Sequence, residues 1–184
     1  MKIRLARFKT YLLILLGLAW GNWGCQTDPT LKKAPKKGFS AISLHLEVNP
    51  DGTDKSTTVL VGRQTPFSIN VNKAAFLETA HVTRASFVDD GMGGFALKLQ
   101  LGQQGSWLLE QYTVSNKGRR IAVNAQLDDF HWIAAPLITK RISDGVFTFA
   151  PETSREEAEK LVLGLNKTIK KLRSRNSLNE PEPK

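Results

Sequence analysis

A single cysteine in 184 residues excludes any disulfide within the chain, so whatever folds here is held by its core alone. Histidine is almost as scarce, with His45, His81 and His131 the only three. No G-x-S-x-G elbow, H-E-x-x-H helix or phosphate-binding loop occurs, so no local signature points to hydrolysis, zinc chemistry or nucleotide binding. "DDGMGG" has the glycines of a nucleotide loop without their spacing, and it stands between two strand patterns rather than before a helix. The apolar run from Tyr11 to Trp20 is too short for a permanent membrane helix. There is no internal repeat. What the chain lacks therefore argues against an enzyme, a repeat array and a membrane-spanning protein.

What is there begins with export. Lys2, Arg4, Arg7 and Lys9 precede the apolar run, and together they have the layout of a secretory signal peptide, residues 1–24. Directly after it, "GNWGCQTDP" places Gly24 before the lone Cys25. This arrangement resembles the lipobox of bacterial lipoproteins, in which the cysteine is acylated and becomes the mature N-terminus. Asn22 stands where that motif has an aliphatic residue. The other reading is an ordinary secretory cleavage nearby, with Cys25 left as a free thiol or removed.

The formal charge of +9 overstates the basicity of the exported part. Setting aside the four cations of the signal leaves 22 of the 26 basic residues against 17 acidic ones. Lys32, Lys33, Lys36 and Lys37 cluster in a basic linker, residues 25–38, which an anionic membrane surface would attract. The expected attachment is thus to a membrane through a lipid anchor, facing the periplasm. Nucleic acid is not expected, because no binding fold appears.

Residues 39–173 have the composition of one globular domain with a single core. Residues 174–184, with two prolines and few apolar side chains, are expected to be a disordered tail. "SAISLHLEV" alternates, with Ile42, Leu44, Leu46 and Val48 inward and Ser43, His45 and Glu47 toward solvent. "TTVLVG" is expected to pair with it, and "FSINV" forms a further strand with Phe67, Ile69 and Val71 inward. "VTRASFVDDGMGGFALKLQL" reads as two strands around a glycine turn, with Phe95, Leu97, Leu99 and Leu101 on one face.

Trp107, Leu108, Leu109 and Tyr112 give a first helix an apolar face, ended by Gly118. "RRIAVNAQL" and "PLITKRI" read as strands, and Asp144-Gly145 as a hairpin turn into "VFTFA". In the second helix, Ser154 and Glu157 form a capping box. There Ala158, Leu161, Val162, Leu165, Ile169 and Leu172 form a buried stripe. The expected class is α+β, a mainly antiparallel sheet with two helices packed on one face.

Several of these pieces fall in a familiar order. Gly118-Arg119-Arg120-Ile121-Ala122 opens one strand and Ile133-Ala134-Ala135-Pro136 marks the next. Asp144-Gly145 makes the turn, and Ser154-Arg155-Glu156-Glu157-Ala158 starts the helix. The order resembles the head of the first periplasmic domain of SecD, an accessory subunit of bacterial protein translocation, over residues 76–172. The resemblance implies the fold and a periplasmic setting. It does not carry over transport, because fold alone does not fix activity. The chain departs from that family at "NAQLDDFHW", which stands where a short turn is usual.

That departure supplies the candidate site. Read as a loop, it gathers Phe130 and His131 beside the Arg119-Arg120 pair, an expected anchor patch for an envelope protein or an exported polypeptide. Trp132 is expected to start a strand and pack inward. The rival reading is a hydrolase or metal-dependent enzyme using Asp128, Asp129 and His131, although a metal needs more ligands at fixed geometry. No catalytic residue, resident metal or cofactor is expected. The sequence leaves the oligomeric state open.

Overall fold

The computed structural model describes residues 38–178 except 51, 64, 90, 92, 127 and 128. Among the described residues, nine strands and two helices follow in order. They are β1 (Ala41–Leu46), β2 (Ser56–Val61), β3 (Phe67–Asn72), β4 (Leu77–Glu78), β5 (Val82–Asp89), β6 (Phe95–Leu101), α1 (Gln103–Ser115), β7 (Ile121–Gln126), β8 (Phe130–Ala134), β9 (Val146–Phe149) and α2 (Arg155–Leu178). A 3-10 turn, Thr79–His81, joins β4 to β5. The class is α+β, and all strand pairs are antiparallel.

The strands form three sheets, ordered β4-β1-β7-β8, β2-β3 and β5-β6-β9. Both edges of β1 are taken, by β4 and β7, so β2 does not pair with β1 as its pattern led us to expect. It folds back on β3 as a separate ribbon, tied to the end of β1 by the Glu47–Val71 bridge. "PLITKRI" is not a strand either. Phe130–Ala134 already fills the free edge of β7, leaving only a bridge between Arg120 and Leu137. Ile142 instead donates its backbone N–H to Thr113 of α1.

The Asp144-Gly145 turn does form, with Gly145 at φ +66°, where a side chain would be strained. It delivers β9 to β6 rather than to a strand just before it, and the Gly145 carbonyl accepts the Leu101 N–H.

The main core collects one face of the four-stranded sheet, the three-stranded sheet and both helices. Ile42, Leu44, Ile121, Val123, Leu97, Leu99, Leu109, Leu161 and Leu165 are all essentially inaccessible. The stripe on α2 is as expected. At its start, Ser154 Oγ accepts the Glu157 N–H at 3.2 Å while the Glu157 carboxylate accepts the Ser154 N–H at 3.4 Å. Gly164 lets this helix close on the strand entry, because a Cβ there would stand 2.2 Å from Ser40 Oγ.

The helix does not stop at Arg173. Residues 174–178 lack a proline or glycine, and the helical turns continue to Leu178. The rest of the expected tail lies outside the described residues.

Three side chains depart from the expected burial, the first being Phe67, which starts β3 beyond the cover of the sheet and is 36% exposed rather than inward. Trp107 is 62% exposed, since the positions of α1 that pack inward are Gly105, Leu109 and Thr113. His45 is buried, because the ribbon covers the face of β1 that the alternation assigned to solvent. Its Nδ1 lies 2.9 Å from the Asn72 carbonyl, which can only accept, so Nδ1 carries the proton. Nε2 then accepts from the Ser43 hydroxyl. Trp132 packs edge-on against the imidazole at 5.0 Å, an inward position as expected.

Candidate functional surface

The stretch read as a long loop is mostly strand. β7 ends at Gln126 and β8 begins at Phe130, so the turn between them is short. Gln126 pairs with Phe130, Ala125 with His131 and Asn124 with Trp132. The next pair is Val123 with Ala134, which leaves Ile133 as the extra residue of a bulge. The bulge turns two consecutive residues, Ile133 and Ala134, into the interior.

This register separates the residues that the sequence placed together. Arg119 and Arg120 precede β7, whereas Phe130 and His131 lie against its far end. Six residue steps of extended chain, roughly 20 Å, separate Arg120 from Gln126. The adjacency is therefore corrected: Arg119-Arg120 and Phe130-His131 are two sites.

The two arginines are also engaged. Arg119 Nη1 donates to the Glu47 carbonyl at 3.2 Å, and Arg120 Nη1 donates to the Ala135 carbonyl at 2.9 Å. The Arg120 N–H is held by the Glu47 carboxylate at 2.8 Å, and its guanidinium stacks 5.4 Å from the Phe67 ring. These contacts clamp the ends of β1 and β7 to the ribbon.

Phe130 is 50% exposed, and His131 is exposed beside it. They sit on β8, the outer strand of the four-stranded sheet. Farther along β8, the Trp132 carbonyl accepts from the Gly62 N–H and the Ile133 carbonyl from the Glu152 N–H. Among the described residues, Phe130 and His131 have no hydrogen bonds beyond their pairing with β7. Among the described residues no further strand pairs with this end of β8, which carries an exposed aromatic ring.

Of the rival constellation, Asp128 lies outside the described residues, and Asp129 and His131 are both exposed. Among the described residues no three His, Cys, Asp or Glu side chains converge. Among the described residues, shallow depressions lie elsewhere. One of about 270 Å³ is lined by His81, Thr83, Gly105 and Arg173 with neighbours, and one of about 400 Å³ by residues from Lys140 to Thr148. Another, about 240 Å³, lies between Phe39 and the exposed face of α2.

The shifted carboxylates have structural surroundings. A hydrogen bond from Thr153, with further ones from Arg63 and the Ser154 N–H, holds Glu157 down to about 2. Arg155, with the Gly91 N–H, holds Asp89 below the usual carboxylate range. Arg155 also lies over the stacked rings of Phe87 and Phe95. Sequence reasoning missed this group and the exposed Trp107. Only the spacing of Gly105, Leu109 and Thr113 could have turned Trp107 outward.

The fold and these sites define an α+β domain in which β8 is an outer strand of the four-stranded sheet. The sequence profile of the SecDF P1 head subdomain matches residues 55–168, more than half of the chain. The chain belongs to the SecDF P1 head family. It is similar to a solved SecDF structure, described as that of a membrane component that enhances protein export. The TM-score is 0.51 at 19% identity, covering 70% of this chain and 62% of that one. It is also similar to SecDF in a super-membrane-facing form, with a TM-score of 0.50 at 19% identity over 69% of this chain and 18% of that one. The chain thus spans under two thirds of these relatives. A search of curated protein sequences finds no match. Among the described residues no helix is long and apolar enough to cross a membrane. Cys25 lies outside the described residues.

Proposed function

We propose that this chain is a non-enzymatic binding domain of the bacterial cell envelope, linked to protein export. It faces the periplasm, is held at a membrane through an acylated Cys25, and receives an exported polypeptide or another envelope protein at the β8 end. The observation that carries the reading is the SecDF P1 head match over residues 55–168. SecDF itself is described as enhancing protein export.

The chemistry of β8 supports the placement of the contact. An unpaired strand edge offers backbone donors and acceptors to any extended chain, and a neighbouring aromatic ring adds apolar contact. Unfolded polypeptides carry both complements without a particular sequence. Arg119 and Arg120 act in this proposal by holding β7 and the ribbon in place, with Phe130 and His131 as the contact residues.

The test is co-purification of an unfolded exported reporter with the full chain from cells. Phe130→Ala combined with His131→Ala is expected to leave the thermal midpoint nearly unchanged and to reduce reporter capture. Unchanged capture at unchanged stability would remove the β8 end from consideration. The anchor is read separately: Cys25→Ser is expected to release the protein from the membrane fraction and abolish labelling by a palmitate analogue. Equal membrane association of variant and parent would overturn the lipoprotein reading.

A further inference from the structure

We infer that the solvent face of α2 docks on an anionic lipid surface, a second membrane contact distinct from the anchor and from the β8 edge. After Glu159 this helix carries Lys160, Lys167, Lys170, Lys171, Arg173 and Arg175, and no acidic residue follows up to Leu178. Lys160, Leu163, Lys167, Lys170 and Lys171 recur at three- and four-residue steps, so they share one face. That face lies opposite the buried stripe of Ala158, Leu161, Leu165 and Ile169.

The lysines are not committed elsewhere. The ion pairs among the described residues are Arg63–Glu157, Arg141–Glu110 and Arg155–Asp89, and none uses a lysine of α2. Lys171 Nζ rests 4.9 Å from the Phe39 ring, which leaves its charge on the surface. Leu163 is 63% exposed in the middle of this basic field. An exposed leucine ringed by lysines suits the boundary between headgroups and acyl chains, where the leucine enters and the ammonium groups meet phosphates.

The position of the chain entry favours a bilayer over a soluble acidic protein. The described chain starts at Gly38 on this same face, and a Cβ on that glycine would stand 3.9 Å from Lys167 Nζ. Gly38, Phe39 and Ser40 line the shallow depression with Lys160, Leu163, Gly164 and Lys167. Lys36 and Lys37 come immediately before Gly38 in sequence, with Lys32, Lys33 and Cys25 upstream. A tether attached there brings the α2 face, rather than the β8 edge, to the surface that holds it. Each lysine near such a surface is worth about 1 kcal/mol, roughly fivefold in partition.

The inference rests on the proposed membrane setting, so its test avoids the lipid anchor. The full chain carrying Cys25→Ser is given one cysteine, either at Leu163 or at Leu60 of β2, which is equally exposed at 63%. An environment-sensitive fluorophore on that cysteine reports local contact with lipid. Vesicles of phosphatidylcholine containing about a quarter phosphatidylglycerol are expected to shift the Leu163→Cys probe toward an apolar environment. The Leu60→Cys probe is expected not to respond, and pure phosphatidylcholine vesicles to leave both unchanged.

Lys167→Gln with Lys171→Gln is expected to raise the lipid concentration needed by roughly twenty-five-fold, the product of two fivefold steps. Lys98→Gln with Lys140→Gln, the same charge change elsewhere, is expected to change it little. A Leu163→Cys response as large on neutral vesicles, an equal response at Leu60→Cys, or equal effects of the two lysine pairs would each overturn the inference. So would a probe shift produced by a soluble acidic polypeptide but not by acidic vesicles. Acylation of Cys25 is read independently by fractionation, so failure of the anchor and failure of this face are separable.

Discussion

The two faces of the four-stranded sheet are built by different means. Toward the helices, β1 and β7 present Ile42, Leu44, Ile121, Val123 and Ala125, an apolar surface that both helices complete. Toward the ribbon, the same strands present Ser43, His45, Ala122, Asn124 and Gln126, against Val61, Ile69, Val71 and Trp132. One face is held by burial of contiguous apolar area, the other by a small cluster plus hydrogen bonds such as His45 to Asn72. Asn124 Oδ1 is even buried there with no hydrogen-bond partner among the described residues. The difference teaches that the larger apolar burial, and with it most of the stability it supplies, lies on the helix side.

Breaking the helix side is expected to have the largest effect. Leu165→Ala or Leu161→Ala removes a fully buried side chain and is expected to cost roughly 2–5 kcal/mol by denaturant titration, with loss of the whole fold in one transition. If either variant kept parental stability, α2 would not be the packing element described. Next comes Gly164→Ala, whose new Cβ collides with Ser40 and is expected to cost about 1–3 kcal/mol. On the ribbon side, Ile69→Val is expected to cost only about 1 kcal/mol. Native-state hydrogen exchange is expected to show amides of β2 and β3 opening before those of β1 and β7.

Smaller effects sharpen the comparison at the helix start. Ser154→Ala removes the acceptor of the capping box and is expected to cost about 1 kcal/mol. Glu157 titrates well below its usual 4.5 in the folded protein, at about 2. A depressed carboxylate contributes stability above the unfolded value and loses it on acidification. The contribution is therefore complete above about pH 4.5 and is lost as the pH falls toward 2. Its side chain is one-third exposed at 35%, so solvent screening keeps the effect small. Glu157→Gln is expected to flatten that part of the stability–pH curve. An unaltered acid limb in the variant would assign the dependence to other groups.

Much of the fold was legible because its signals are local. The capping box of Ser154 and Glu157, the stripe from Ala158 to Ile169 and the Gly91–Gly94 hairpin each depend on residues within a few turns of chain. Strand partnership is not local. Nothing in "SAISLHLEV" states that β4 and β7 occupy both its edges, and its alternation cannot say that a ribbon covers the polar face. That is why His45 was assigned to solvent and lies buried. The candidate site suffered from the same limit. Phe130 and His131 stand exposed, but reading "NAQLDDFHW" as a loop put Arg119 and Arg120 beside them. A strand register holds the pairs apart, and the arginines clamp β1 to β7. Trp107 points outward for a subtler reason: the small residues Gly105 and Thr113, not the large apolar ones, set which side of α1 faces in.

The proposed polypeptide contact at the β8 end is tested most directly by site-specific photo-crosslinking in cells. A photoreactive phenylalanine analogue at position 130 is compared with the same analogue at position 107, which carries another strongly exposed aromatic side chain, while an exported reporter is being secreted. The account predicts a covalent adduct between position 130 and the reporter, and little or none from position 107. An adduct from position 107 with none from position 130 would contradict it and move polypeptide contact from the sheet edge to the outer face of α1.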